Sequence, residues 1–132
     1  MKVELHPAMA RAFEEAEAAG ERGEVPVGAC ITGRDGSIVT SAGNRTRELN
    51  DPTAHAEVLV IREAGRLLHS ERLSGCDLHV TLEPCAMCAG AMVNARLGSV
   101  VFGATDPKAG AVTSHFGLLN GAPLNHAAAI TP

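Results

Sequence analysis

The sequence predicts a single α/β domain in which an antiparallel hairpin precedes an alternation of helices and strands. The 132 residues, of which 45% are hydrophobic, suffice for the core of one domain. Helical and strand patterns alternate between residues 54 and 103, which favours parallel strands joined by right-handed crossovers. Gly and Pro residues are spaced between elements and form no linker, so residues 1–132 are expected to be one domain.

The amino-terminal part predicts one helix and one hairpin. Apolar residues at helical spacing begin after Pro7 and stop at Gly20, which predicts the first helix. A β-branched apolar run at 25–31 is followed by turn residues at 34–37 and a second run at 38–40. This pattern predicts two antiparallel strands.

The next part predicts two helices and two strands. Thr53 is the expected cap of a second helix that extends to about Leu68. A strand is expected at 78–82, and Pro84, a favoured first-turn residue, then opens a third helix. A buried strand at 99–103 should lie parallel to the strand before it. Two weaker patterns predict a helical turn at 114–119 and a last strand at 127–130.

Composition excludes several classes of function. A formal net charge of -4 argues against a globally basic nucleic-acid binder, and the absence of Trp and Tyr disfavours modules that stack bases on aromatic rows. The chain has neither a membrane-length apolar run nor the apolar block of a signal peptide, so it is expected to be cytoplasmic. In a reducing compartment, the Cys85 and Cys88 pair favours metal or redox chemistry over disulfides.

Three residues have the chemistry of a catalytic zinc site. Cys85 and Cys88 lie three residues apart at a predicted helix start, where both sulfurs point to one side and the helix amino end favours thiolates. His55, at the start of the preceding helix, supplies a third ligand. Three protein ligands leave the fourth tetrahedral position open, as in a catalytic zinc site.

Glu57 is the candidate catalytic residue. It lies two residues from His55, so the two side chains converge only at a helix end, where side chains lean toward the amino terminus. A carboxylate beside the metal but outside its ligand shell can accept a proton from water and return it to a leaving group. The arrangement therefore predicts hydrolysis.

Other interpretations of the cysteines and cations remain open at this point. Cys-x-x-Cys at a helix start is also typical of a thioredoxin-like redox pair. A structural zinc module, closed by Cys76 or His79, would only bind RNA or a partner. Cys30 and Cys76 are otherwise expected to be core residues without chemistry. The following cations either form a local basic rim or are scattered and solvated: Arg45, Arg47, Arg62, Arg66 and Lys108.

The chain resembles the cytidine deaminase superfamily and, within it, more closely the bacterial tRNA-specific adenosine deaminases. The His-x-Glu and Pro-Cys-x-x-Cys pairs carry the zinc signature of nucleobase deaminases. Further matches span most of the chain. They are EVPVGA at 24–29, NR at 44–45, NDPTAHAE at 50–57, TLEPCAMCAGA at 81–91, VFGA at 101–104, DPKAGA at 106–111 and LNH at 124–126.

The resemblance implies a three-layer α-β-α fold with a mixed five-stranded sheet, and a homodimer with active sites near the interface. It implies hydrolytic conversion of the wobble adenosine of a tRNA anticodon to inosine, with release of ammonia. One zinc ion per subunit would be held by His55, Cys85 and Cys88. Glu57 would transfer protons, and Asn44 would contact the flipped nucleotide of the anticodon stem-loop.

The same resemblance shows one difference from the family and leaves one alternative function. The family typically continues past the Asn-His segment with a further basic helix, which residues 1–132 are expected to lack. The zinc machinery is common to the superfamily, so a deaminase of a free nucleobase or nucleoside, such as guanine, cytosine or adenosine, is the alternative function.

Overall fold

The computed structural model describes residues 5–111 and 129–131 of the chain. Helices and strands follow the order expected for an α/β domain. The elements are α1 (Pro7–Glu21), β1 (Gly28–Thr32), β2 (Ile38–Gly43), α2 (Ala56–Leu68), β3 (Asp77–Val80), α3 (Ala86–Asn94), β4 (Ser99–Phe102) and β5 (Ala129–Thr131).

The strands form one mixed sheet in the order β2-β1-β3-β4-β5. β1 lies between β2 and β3 and is antiparallel to both, so that Ala29 pairs with Ala42 on one side and Val80 on the other. β3 and β4 are parallel, and the three residues of β5 pair in parallel with β4. The predicted hairpin and the predicted parallel arrangement of β3 and β4 are confirmed.

Helices cover both faces of the sheet and give three layers. Alternate strand residues point to opposite faces, because side chains along a strand have a period of two. Ile31 and Leu78 belong to the larger core cluster, beneath α2 and α3. Cys30 precedes Ile31 on β1, so it points to the other face, where it packs with Ala8 and Met9 of α1. The three-layer architecture is the one the resemblance implies.

α1 lies unusually close to the sheet at Gly28. A Cβ atom at this position would be 1.9 Å from the carbonyl oxygen of Ala12 and 2.5 Å from the backbone nitrogen of Ala16. The missing side chain therefore allows backbone-to-backbone packing of α1 on β1. This contact fixes β1, whose neighbouring loops form part of the site described below.

The start of α2 differs from the prediction. His55, not Thr53, is the N-cap, and its side chain makes no capping hydrogen bond. The Thr53 hydroxyl donates instead to Asp51 Oδ1 at 2.7 Å, so it is engaged in a local turn. The first helical N–H, from Ala56, donates to Asn44 Oδ1 at 2.8 Å. The prediction of Thr53 as the cap was wrong, whereas the predicted end at Leu68 is confirmed.

The connection from β3 to α3 is longer than predicted. β3 ends at Val80, and Thr81 instead exchanges hydrogen bonds with Gly28 through its backbone N–H and its hydroxyl oxygen. α3 begins at Ala86 with Cys85 as its N-cap, so Pro84 lies before the helix and not in its first turn. A connection that is neither strand nor helix, residues 81–85, thus separates β3 from α3.

Two weaker predictions fall partly or wholly outside the described residues. The helical turn expected at 114–119 lies outside them, and the strand expected at 127–130 overlaps β5. Within the described part of the chain, no helix has both the length and the apolar character needed to span a bilayer.

Candidate active site and metal centre

The amino-terminal ends of α2 and α3 carry the predicted site residues. His55 is the N-cap of α2 with an extended backbone, and Glu57 lies in the first helical turn. The break between extended and helical backbone at His55 lets both side chains turn toward α3, although they are only two residues apart. Cys85 is the N-cap of α3, and Cys88 follows in its first turn.

The three predicted metal ligands lie together. The Nδ1 atom of His55 is 3.7 Å from Cys85 Sγ and 3.5 Å from Cys88 Sγ. All three donor atoms lie within 4.8 Å of one another, and this is the single such group of at least three His, Cys, Asp or Glu residues in the described part of the chain. Two sulfurs and one imidazole nitrogen form a donor set suited to zinc.

The electrostatics of the cysteine pair favour a thiolate. A hydrogen bond from the Cys88 thiol lowers the pKa of Cys85 to about 5, with further lowering by the backbone N–H groups of Cys88 and Met87 and by His55. The same hydrogen bond and burial raise the pKa of Cys88. The start of α3 therefore presents the thiolate of Cys85, which accepts a hydrogen bond from the thiol of Cys88. Sulfur ligands of this kind fit a divalent metal ion such as zinc.

Glu57 is a buried carboxyl group beside these ligands. It is 4% exposed, and burial, followed by the negative Cys85, raises its pKa. Its Oε1 atom is buried and hydrogen-bonds to no other described residue. A buried polar atom without a partner is costly, so this oxygen is suited to a partner that arrives with the metal or the substrate.

A pocket of about 210 Å³ opens over the candidate metal centre. Asn44 lines it, and the Oδ1 of Asn44 is held by the N–H of Ala56, so the predicted substrate-binding residue is fixed at the site. The structure thus brings all five predicted site residues together. The lining residues are Val25, Val27, Asn44, Thr46, His55, Glu57, Leu82, Glu83, Cys85, Asp106 and Ala109.

One wall of the pocket is fastened by Glu24. Its carboxylate accepts hydrogen bonds from the backbone N–H groups of Arg47 and Glu48, at 3.1 and 2.9 Å, and from the Thr46 hydroxyl at 3.3 Å. Burial alone would raise the pKa of Glu24, but these hydrogen bonds outweigh burial and lower it. The loop that carries Asn44 and Thr46 is therefore held by a buried carboxylate.

The opposite wall was not assigned any role from the sequence. Leu82, Glu83, Asp106 and Ala109 line it, and their motifs at 81–91 and 106–111 entered only through the resemblance. The two motifs could be identified in the sequence, but nothing in their spacing indicated that their residues would line the same pocket. Asp106 and Glu83 are 23 residues apart and meet only in the folded chain.

The alternatives involving other cysteines and histidines are not supported. In the described residues neither Cys76 nor His79 joins the metal-binding group, so the geometry does not support the alternative of a closed structural zinc site. His79 lies on the opposite face of the sheet and stacks on His6 with ring centroids 4.9 Å apart. Cys30 is buried, and burial raises its pKa to about 11, as expected for a core thiol.

Three of the five cations considered for a basic rim are engaged by neighbouring groups. Arg45 and Arg66 each pair with a glutamate three residues away, Glu48 and Glu63 respectively. The guanidinium of Arg47 donates to the carbonyl oxygen of Gly23. Several of these positive charges are therefore partly neutralised or engaged.

Comparisons with known proteins agree with this site. The family model of the cytidine and deoxycytidylate deaminase zinc-binding region matches residues 3–104. A tRNA-specific adenosine deaminase of Aquifex aeolicus is 52% identical over 115 residues, which are 87% of this chain and 76% of that protein.

Two solved structures extend the comparison. One, from a study of A-to-I editing by tRNA:A34 deaminases at the wobble position of transfer RNA, has a TM-score of 0.90 and 51% identity over 93% of this chain and 88% of that chain. A guanine deaminase from Bacillus subtilis has a TM-score of 0.73 and 38% identity over 78% of this chain and 66% of that chain.

Proposed function

The chain belongs to the cytidine and deoxycytidylate deaminase family, and from that premise we propose that it converts adenosine to inosine at the wobble position of a tRNA anticodon. It is a hydrolytic, zinc-dependent deaminase, as its family and its relatives named tRNA-specific adenosine deaminases indicate. The observation that carries the proposal is the His55, Cys85 and Cys88 group beside the buried Glu57 at the base of one pocket. The anticodon stem-loop is the substrate we infer.

His55, Cys85 and Cys88 would hold one zinc ion per chain through Nδ1 and the two sulfurs. When bound, the ion would polarise a water molecule for attack on the purine ring. The proposal is supported by the short separations between these donors and by the thiolate character of Cys85. His55 and Cys85 are half-buried, which leaves this group accessible from the pocket.

Glu57 would move the protons of the reaction. Its carboxylate would accept a proton from the attacking water and donate it to the ring nitrogen beside the reacting carbon. It would then accept the proton of the hydroxyl group newly added to that carbon and pass it to the amine, so that a carbonyl forms and the amine leaves as ammonia. The raised pKa supports this role, because a carboxyl group that binds a proton readily can both accept and return it. Burial excludes bulk water from the exchange.

Asn44 would bind the flipped nucleotide. Its side-chain carbonyl oxygen is occupied by the N–H of Ala56, and this bond sets the orientation of the amide group at the pocket. A flipped base is recognised by hydrogen bonds to its edges within a closely fitting site. A single-stranded loop offers such a base at a lower unstacking cost than a duplex.

We also propose that residues 1–132 form one deaminase domain that acts as a cytoplasmic homodimer. Support for the dimer comes from α2 and α3, where a concavity of about 530 Å³ is lined by apolar residues, among them Val58, Ile61 and Ala91, and also by charged residues, among them Arg62 and Arg96. A second copy that covers this surface would bury apolar area that one sheet face does not cover. A monomeric mass at micromolar concentration would contradict the dimer.

A substrate panel tests the proposed function. Ammonia release is measured with an adenosine-containing anticodon stem-loop, free adenosine, free guanine, free cytosine and free cytidine, and inosine is identified in the RNA product. We expect the stem-loop to be the best substrate by kcat/KM. Faster turnover of free guanine or cytosine would favour a free-base deaminase instead.

A metal measurement tests the ligand assignment. We expect one zinc per chain in the wild type and a large loss in Cys85→Ser. Cys76→Ala is the matched control, because Cys76 is a buried cysteine outside the metal-binding group. Full zinc in Cys85→Ser together with loss in Cys76→Ala would contradict the assignment.

A further inference from the structure

Glu83 is a buried carboxylate at the pocket that the proposed chemistry does not use. It is 3% exposed and lies in the connection between β3 and α3, two residues before Cys85. It also lines the pocket, together with Asn44 and Thr46. A buried carboxylate needs compensating hydrogen bonds, so its contacts indicate what it does.

Three hydrogen bonds fasten a second chain segment to this connection. Glu83 Oε1 accepts a hydrogen bond from the backbone N–H of Asp106 at 3.0 Å. The backbone N–H of Glu83 donates to the carbonyl oxygen of Ala104 at 2.8 Å, and the N–H of Ala111 donates to the carbonyl oxygen of Pro84 at 2.9 Å. The segment 104–111, called here the wall segment, is therefore attached at both ends and in between.

The other carboxylate oxygen of Glu83 packs inside the wall segment. A Cβ atom at Gly110 would be 2.3 Å from Glu83 Cδ and 2.5 Å from Glu83 Oε2, so a glycine is required there for space. Asp106 closes the segment into a turn, because its Oδ1 accepts from the N–H groups of Lys108 and Ala109, at 3.1 and 3.2 Å. The turn is thus built around the Glu83 carboxylate.

We propose that Glu83 is a positioning residue that holds the wall segment as a fixed side of the substrate pocket. Asp106 and Ala109, both at the pocket, then keep their places when the target nucleoside enters. An ordered wall needs no further ordering when the substrate binds. A wall that is open part of the time lowers the apparent affinity to the intrinsic affinity multiplied by the fraction of time for which the wall is closed. The inference rests on the proposed function, because it assigns this pocket to the nucleoside.

Two substitutions at Glu83 test the proposal by kinetics. In Glu83→Ala the Asp106 N–H loses its acceptor, and we expect KM for the anticodon stem-loop to rise about tenfold or more, with kcat within about twofold and one zinc retained. In Glu83→Gln the amide oxygen still accepts from Asp106, so we expect KM within about threefold of the wild type. Glu63→Ala, an exposed glutamate on α2, is the control.

Amide hydrogen exchange tests the same proposal without any substrate. We expect faster exchange in the wall segment of Glu83→Ala, wild-type exchange in Glu83→Gln, and unchanged exchange in β1 in both. In Gly110→Ala the added methyl group would clash with the Glu83 carboxylate. This variant should therefore also raise KM and accelerate exchange in the wall segment. This third variant keeps the test decisive if Glu83→Ala fails to fold.

Several results would overturn the proposal. Wild-type KM and wild-type exchange in Glu83→Ala would exclude the positioning role. An equal loss of kcat in Glu83→Ala and Glu83→Gln, with a displaced pH profile, would make Glu83 a proton-transfer group instead. Loss of zinc in all three variants would mean that it supports the metal centre. If the wild type deaminates none of the substrates, the proposed function fails, while the exchange data still decide the role of Glu83.

Discussion

At the scale of single residues, two buried carboxyl groups border the same pocket but have different surroundings. Glu57 Oε1 hydrogen-bonds to no other described residue, and burial raises its pKa. Glu83 accepts a backbone N–H and packs against Gly110. A group whose charged form is poorly compensated exchanges protons readily, whereas one that accepts backbone hydrogen bonds stabilises its neighbours. The local partners therefore fit the catalytic role proposed for Glu57 and the positioning role proposed for Glu83.

We expect Glu57→Gln to retain the fold and one zinc per chain while losing activity by about 10²–10⁴-fold. The amide has nearly the shape of the carboxyl group but cannot transfer the proton. Metal analysis and single-turnover inosine formation measure the two properties, with Glu63→Gln as the exposed control on the same helix. Turnover within about tenfold of the wild type would contradict the assignment of Glu57.

The sequence predicted the residues of the site better than it predicted their support. His55, Glu57, Cys85 and Cys88 belong to two short motifs, and the chemistry of each side chain indicates its use. The partners that fix the pocket walls are distant in sequence, as with the carboxylate of Glu24 and the loop at 46–48. No local pattern encodes such a pairing, because it depends on how the sheet brings the loops together.

At the scale of secondary-structure elements, the helix starts decide the geometry of the site. Periodicity was enough to predict α2, because its apolar residues recur at helical spacing. Its cap was not predictable in the same way, since Asn44 lies 12 residues before Ala56 and meets it only after β2 pairs with β1. Thr53 has the right residue type for a cap, but its hydroxyl is used by Asp51.

We expect Asn44→Ala to lower the free energy of unfolding by about 1–3 kcal/mol, because the buried N–H of Ala56 loses its acceptor. Asn44→Asp keeps an acceptor oxygen at a helix amino end and should recover most of this stability. Urea unfolding of both variants provides the measurement. Thr53→Ala is the control and should cost about 1 kcal/mol or less. A larger loss in Thr53→Ala than in Asn44→Ala would restore Thr53 as the cap.

The close packing of α1 on β1 gives a prediction at Gly28, with Gly90 of α3 as the comparison. Gly28→Ala should destabilise the protein by about 3 kcal/mol or more, because a methyl group there would meet the α1 backbone. Gly90→Ala in α3 meets nothing within 4 Å and should stabilise the protein by about 0.5–1 kcal/mol through helix propensity. Thermal and urea unfolding measure both, and equal effects at the two glycines would contradict the close approach of α1.

At the scale of the whole molecule, the charge distribution argues for recognition by shape. The net charge is -4, and the arginine nearest Asn44 in sequence, Arg45, is paired with Glu48. Glu48 also lies 3.9 Å from Arg22. With few unpaired cations in this region, a phosphate backbone gains little from counterion release. We therefore expect the ordered pocket walls, rather than bulk electrostatics, to be the source of selectivity for a loop nucleotide.

We therefore expect a shallow salt dependence of stem-loop binding. Each neutralised phosphate of single-stranded RNA contributes about 0.7 to the log–log slope. Arg47 and Lys108 form no ion pair with a carboxylate of the described residues, although Arg47 donates to a carbonyl oxygen, and together they give a magnitude of about 1.4. Glu48→Ala removes the carboxylate that pairs with both Arg45 and Arg22, and the slope should then rise to about 2–2.8 as one or both of these arginines become available. Glu63→Ala releases Arg66 in the same way and serves as the matched control, because the Arg66 pair lies at the far end of α2 from His55. Titrations at several salt concentrations measure the slopes.

A wild-type slope of about 4 or more would show that electrostatic contacts dominate binding. An equal increase of the slope in Glu48→Ala and Glu63→Ala would show that Arg45 does not lie closer to the bound RNA than Arg66 does.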